Sequence, residues 1–282
     1  MVFRWRGGAR FWLIAVPVVW LASVASYLVG SETVAVVSRV LLSRLVPIYK
    51  VDTAHPRIAI SFDAMWGTSR TDRILEILRN HRVKTTFFLG GNWVDKYPEY
   101  VRKIVAEGHE VGNHTYTHPH LNSLSPDQIR WELEENQRRI DALVGRPRVL
   151  LFRPPFGEYS DKVIEVADQL GYYTIQWSVD SLDWQNLSAG AIIDRVMRVV
   201  GPGDIVLFHN DGANTPDAVE RLIPMLRERG FEIVPVSQLI YHSDYIIEPH
   251  SGLQRRRPRP VPPAPQRPGP PAPPPGQRPP SR

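Results

Sequence analysis

At 282 residues, 43% of them hydrophobic and 10% aromatic, the chain can bury a sizeable core, which excludes a disordered protein. It has no cysteine, so disulfides are excluded and packing, with or without a metal, must supply the stability. The net charge of +5 belongs to the ends: Arg4, Arg6 and Arg10 open the chain and residues 251–282 hold seven arginines and no acid, so the middle is mildly acidic and unsuited to nucleic acid.

Residues 11–29 (FWLIAVPVVWLASVASYLV) carry no charge and follow the three arginines. The run approaches the roughly 20 residues that span a bilayer, and the positive-inside rule leaves the arginines in the cytoplasm and the remainder outside. We read it as a single-pass anchor in the cell membrane; the alternative is a signal peptide cut near residues 22–26, giving a secreted protein. Residues 33–48 are expected to form a short amphipathic helix interrupted by Arg39 and Arg44.

From residue 57 strand-like and helix-like segments alternate. Residues 57–63 (RIAISFD) read as a buried strand ending in a carboxylate, and 71–82 as a helix with Ile74, Leu75, Ile77 and Leu78 on one side. A second strand is expected over 85–90 and a helix over 98–107, opened by Pro98 and closed by Gly108. The third strand runs into His114. Ser125 and Pro126 open a long helix ending near Gly145. Strands over 149–153, 173–179, 204–209 and 232–236 then alternate with helices over 161–170, 191–200 and 215–229. Such alternation implies an α/β fold of parallel strands with crossover connections. Apolar runs such as Ile205 to Phe208 fit strands covered on both faces, and a barrel or near-barrel is the natural closure.

From residue 249 the chain is rich in proline and arginine, without the apolar content to seed a core, and is expected to be extended and disordered. It is either a solvated spacer or a contact for an anionic polymer. The expected organisation is 1–30 basic flank and membrane anchor, 31–54 juxtamembrane linker, 55–245 α/β domain and 246–282 disordered tail.

In a barrel of parallel strands, functional groups gather at the carboxyl ends. Asp63, His114, Arg153, Asp180 and His209 each stand at or just past a different strand end, with Asp183 close behind Asp180. His114 and His118, four apart in an extended or loosely turning stretch, can reach one point. Two neutral imidazoles about 2.0–2.1 Å from a common centre suit a zinc-like ion.

Taken in order, Asp63, His114 with His118, Arg153-Pro-Pro-Phe-Gly157, Asp180-Ser-Leu-Asp183-Trp184 and Leu207-Phe-His209 resemble the motifs of the polysaccharide deacetylases of carbohydrate esterase family 4, over about residues 55–240. The first motif, Ser-Phe-Asp-Ala-Met-Trp-Gly, resembles that of the sporulation-type branch. The resemblance implies a distorted (β/α)7 barrel and a metal-dependent hydrolase that removes acetyl groups from N-acetylated amino sugars of peptidoglycan or chitin. It implies Asp63 as general base, paired with Arg153, and His114 and His118 as ligands of a divalent metal, zinc first, with cobalt or manganese as alternatives. His209 becomes the acid for the leaving amine, oriented by Asp180 or Asp183, of which we take Asp183. Trp184 and Leu207 wall the acetyl pocket, and Pro155 joins them as substrate-binding.

One departure bears on the chemistry. The family motif has two adjacent aspartates, the second a metal ligand, and here that position is Ala64. An alanine coordinates nothing, so the metal is expected to be held more weakly. Three outcomes are open: Asp63 turns to the metal, water or substrate fills the gap, or the site is empty and the protein binds saccharide without catalysis. The expected function is deacetylation of a cell-wall polysaccharide by an exported, membrane-anchored enzyme; the alternative is a silent saccharide-binding protein on the same fold.

Overall fold

Strand β2 (Arg57–Ala64) is central to the computed structural model, which describes residues 44–258. Its alternate residues Ile58, Ile60, Phe62 and Ala64 enter the apolar layer under the helices, whereas Ala59 belongs to a second cluster on the opposite face. Both faces are thus covered, and the strand reads as a nearly continuous apolar run. Each fully buried Ile or Phe there contributes roughly 1.5–3 kcal/mol.

In the described residues β2 lies between β3 (Thr86–Leu89) and β8 (Ile205–His209) in a wholly parallel, curled half-barrel sheet. Outward from β3 follow β4 (Glu110–Asn113), β5 (Leu150–Phe152) and β6 (Tyr172–Thr174); beyond β8 lies β7 (Val179–Asp180). The amphipathic helices α1 (Thr71–Asn80), α3 (Pro98–Ala106), α6 (Ala189–Val199) and α7 (Thr215–Glu228) pack their apolar faces on one side of the sheet. Helix α4 (Pro126–Val144) opens with a capping box between Ser125 and Gln128, worth about 1 kcal/mol. It packs with α5 (Asp161–Gln169) over β5 and β6. The α/β class and parallel sheet follow the reading of the sequence.

Several elements differ from that reading. Residues 173–179 do not form one strand: β6 and β7 are the two ends of the sheet, and Ile175 to Ser178 cross between them. On the way Ile175 bridges to Ile48 and the Ser178 amide donates to the Ile205 carbonyl. Helix α2 (Gly91–Lys96) was not anticipated, because six residues are too few to establish a periodicity. The last expected strand shortens to β9 (Glu232–Ile233), paired with β2, and is followed by α8 (Val236–Leu239).

The expected boundaries at 55 and 245 also move outward. Strand β1 (Lys50–Val51) pairs in parallel with β11 (Leu253–Arg256), which pairs antiparallel with β10 (Tyr245–Ile247). Residues 246–258, expected to be disordered, are therefore ordered, because backbone pairing and buried Gln254 tie them to the body. Gln254 exchanges hydrogen bonds with Tyr241, donating to its carbonyl and accepting from its amide. Residues 44–48, the end of the expected amphipathic helix, are not helical. Their Ile48 packs with Val51, Phe88, Leu151 and Ile205 in the sheet interior. Among the described residues no helix is long and apolar enough to cross a membrane, and the expected anchor at 11–29 lies outside them, as does the tail beyond 258.

Candidate active site

The interior face of β2 presents Asp63, and parallel register sets it beside Phe88 on one side and His209 on the other. Arg153, just past β5, is fully buried and brings its Nη1 to 2.8 Å from Asp63 Oδ1. Its Nη2 donates to Ser61 Oγ (2.9 Å) and the Gln176 carbonyl (3.2 Å), and the guanidinium lies 4.1 Å from the Phe88 ring centre. Burial opposes ionisation of Asp63, but Arg153, His114 and His209 outweigh it and hold the carboxyl below its usual range. Asp63 is therefore a carboxylate at neutral pH.

His114 emerges from β4 with its Nδ1 2.7 Å from the Arg153 carbonyl. A carbonyl only accepts, so Nδ1 carries the proton and the Nε2 lone pair is free. Nε2 lies 3.6 Å from Asp63 Oδ2. The His118 ring is centred 5.0 Å from that of His114, at 67° to it. Burial lowers the pKa of both imidazoles, His118 to about 4 with His114 adding to the effect, so both are neutral as ligation requires.

Two residues of this loop have left-handed backbone, Thr115 (φ 63°) and His118 (φ 62°). Such strain persists only where the surroundings impose it, and here α4 does so. Glu132, buried, accepts the backbone N–H groups of Tyr116 and Thr117 (both 2.8 Å) and the Thr117 hydroxyl (2.5 Å). Asn113 Oδ1 accepts from the Thr115 amide and from Asn136 Nδ2 (both 2.9 Å). Asn136 Nδ2 also donates to the Leu89 carbonyl. Sequence reasoning missed Glu132 and Asn136. The available signal was their position, four apart and next to Leu133 on the buried side of α4, where polar residues are unexpected.

On the opposite side, Asp183 sits in a 3-10 turn (Asp183–Gln185) and is fully buried. Its Oδ1 is 2.7 Å from His209 Nδ1, and its Oδ2 accepts from the His209 amide (2.8 Å) and the Thr215 hydroxyl (2.6 Å). Burial alone would favour a neutral imidazole, but the Asp183 hydrogen bond and charge overcome it and raise the His209 pKa. Asp180 does not reach His209 by hydrogen bond; its Oδ1 caps the turn at the Leu182 amide. Trp184 is exposed, whereas Leu207 on β8 and Pro155 in the 3-10 turn Pro155–Gly157 are buried. Sequence reasoning also passed over two exposed aromatics at the site: Trp66, centred 5.9 Å from His118, and Phe156, at 4.5 Å.

The donor set suits a metal incompletely. His114 has the tautomer and both imidazoles the neutrality of ligands, and Asp63 Oδ2 lies 3.6 Å from His114 Nε2. Among the described residues no three His, Asp or Glu side chains converge as a metal-binding group. Ala64 is fully buried and packs with the apolar layer.

A family model for polysaccharide deacetylases matches residues 50–175. A peptidoglycan-N-acetylglucosamine deacetylase of Bacillus cereus is 35% identical over 197 residues, covering 68% of this chain and 92% of the relative. The chain belongs to the polysaccharide deacetylase family. Among other relatives, the uncharacterized protein YlxY of Bacillus subtilis is 33% identical over 195 residues, 69% of this chain but only 60% of YlxY. The structure of BA3943, a CE4 family pseudoenzyme from Bacillus anthracis, superposes with a TM-score of 0.67 at 34% identity, covering 75% of this chain and 73% of that one. A BA3943 mutant with restored enzymatic activity gives 0.66 at 39% identity, covering 69% and 71%.

Proposed function

We propose that this polysaccharide deacetylase hydrolyses N-acetyl groups on the amino sugars of a cell-wall polysaccharide. The observation that carries the reading is the split between two neighbours on adjacent strands: Asp63 is held ionised by Arg153, and His209 is held toward its protonated form by Asp183. A pair driven apart in this way is fitted to opposite proton transfers. Asp63 accepts a proton from the water that attacks the acetyl carbonyl carbon. His209 delivers one to the amine nitrogen as the C–N bond breaks, giving acetate and a free amino sugar.

His114 and His118 would hold a divalent ion, zinc before cobalt or manganese, with the third protein ligand, a carboxylate, missing at Ala64. When bound, such an ion supplies Lewis-acid polarisation and lowers the pKa of water. Trp184 and Leu207 are assigned to the wall of the acetyl pocket, and Pro155 to substrate binding. The chain acts outside the cell, tethered by residues 11–29 or released by cleavage there, and its arginine-rich tail contacts anionic polymer.

The test is acetate release by the full chain from peptidoglycan and from chitin oligomers, with added zinc, cobalt or manganese. Release that disappears in Asp63→Asn and His114→Ala supports hydrolysis. A second reading, a catalytically silent saccharide binder, is favoured by Ala64 and by the likeness to BA3943. Saccharide binding without acetate under every metal would establish it instead.

A further inference from the structure

Every backbone N–H from Thr115 to His118 is taken. Asn113 Oδ1 holds the first, Glu132 the next two, and the Thr115 hydroxyl the fourth at 3.2 Å. The carbonyls of Thr115 and Tyr116 are taken as well, by the amides of Gly91 (2.9 Å) and Asn92 (3.0 Å). Those two amides open helix α2, where a helix cannot satisfy them from within. A surface loop ordinarily leaves such groups to water.

Tyr116 joins the two helices that flank this loop. Its ring lies under the Arg139 guanidinium of α4 at 4.2 Å and meets Trp131 of the same helix edge-on at 5.6 Å. Its hydroxyl donates to Asp95 Oδ2 of α2 (2.9 Å) and accepts from Arg139 Nη2 (3.1 Å). Arg139 in turn pairs with Asp95 (2.7 Å) and Glu135. On the α2 side the backbone is so near that a Cβ at Gly91 would fall 2.0 Å from Tyr116 Cδ2 and 2.9 Å from its Cα. One such contact on a protein surface is worth little. Together they leave the side chain a single place to sit.

We infer that Tyr116 is a positioning residue for the histidine pair: it keys the loop between α2 and α4, so that His114 and His118 keep their mutual arrangement by protein contacts alone. His118 depends on this most, because its φ of 62° is a conformation that a free chain would leave. A pair arranged beforehand gives up little freedom when it takes a ligand. That advantage counts here, where Ala64 supplies no carboxylate. The inference rests on His114 and His118 as the ligating pair, but the arrangement itself needs neither metal nor hydrolysis.

Hydrogen exchange of the full chain, freed of metal with a chelator, tests the arrangement directly. The amides of Tyr116, Thr117 and His118 should be protected. Tyr116→Ala should speed their exchange roughly tenfold while the amides of β4 keep their natural rate, which excludes misfolding. Tyr116→Phe, which keeps the ring under Arg139, should recover part of the protection. Calorimetric titration with zinc gives a second readout. Tyr116→Ala should weaken zinc about tenfold to a hundredfold, the loss usual when a group that orients a ligand is removed, and Tyr116→Phe should weaken it less. Exchange of the three amides at the rate of an open peptide, or protection and zinc affinity untouched by Tyr116→Ala, would overturn the inference. A chain that binds no zinc, yet protects these amides in a Tyr116-dependent way, would sink the metal reading and leave the keyed loop standing. Zinc binding and acetate release with the three amides unprotected would do the reverse.

Discussion

Asp183 grips His209 at two points, taking its backbone amide at 2.8 Å and its Nδ1 at 2.7 Å. The carboxylate therefore fixes the ring's orientation and its proton at once. Asp183→Asn should lower the His209 pKa, followed by NMR titration of the ring, and reduce acetate release by about 10²–10⁴-fold. His209 has a raised folded pKa. Its contribution to stability is thus complete below the ordinary value of 6.5 and is lost as pH rises through the folded value. The alkaline limb of the activity profile should follow the same titration and move to lower pH in Asp183→Asn.

Thr215 holds the other oxygen of that carboxylate. Thr215→Val removes one buried donor and should cost about 1–2 kcal/mol in denaturant unfolding. With a competing donor gone, Asp183 becomes the stronger partner and the His209 pKa should rise further. Thr215→Ser, which keeps the hydroxyl, should return both values to those of the natural chain.

The Arg153–Asp63 pair is buried, Arg153 completely. Arg153→Met should destabilise the fold by about 3–5 kcal/mol, because it strands a buried carboxylate. Combining it with Asp63→Asn should recover part of the loss. The depressed folded pKa of Asp63 means that its stabilising share is present above the ordinary value of 3.8 and vanishes as pH falls through the folded one. Acid unfolding curves of the two single variants and the double variant read this directly.

Ala64→Asp places a carboxylate where an apolar methyl is now fully buried. Without metal the melting temperature should fall, since the new charge is desolvated and unpaired. Added zinc should restore it by mass action if the carboxylate joins His114 and His118. Destabilisation that zinc leaves unrelieved would show that the new group points only into the helix-facing layer.

His109 offers a pH sensor outside the site. Burial, aided by Lys84, lowers its pKa to about 4, and its Nδ1 accepts from the Thr85 amide at 3.2 Å. A buried neutral imidazole of this kind makes stability fall as pH drops from 6.5 toward 4, by up to about 3 kcal/mol. His109→Gln should flatten that part of the stability profile while leaving acetate release at neutral pH unaltered.

Much of this arrangement was legible because it depends on local pattern. The run from Arg57 to Asp63, the capping residues at Ser125 and Pro126, and the strand ends at His114, Arg153 and His209 each announce themselves within a few residues. Their meeting follows from parallel register, as in the pairing of Asp63 with His209. Contacts between distant segments left no such trace. Nothing near Tyr173 signals that its strand stops at Thr174 and that Val179 belongs to the opposite end of the sheet. The support that Glu132 gives to the Tyr116 and Thr117 amides is likewise invisible until α4 is laid across the loop. The short pairing of Leu253 and Gln254 with Lys50 and Val51 was hidden inside a stretch whose composition suggested disorder.

That last pairing has a consequence for how the chain is assembled. β11 is the final strand of the described residues and its parallel partner β1 is the first. During synthesis β1 must wait, with one edge open, until every other strand has left the ribosome, and loss of the segment around Leu253 would leave Val51 without its neighbour. This seam can close only once Arg256 has been synthesised, so a chain cut short before Leu253 would keep the large sheet and lack the pairing that ties its first strand to its last.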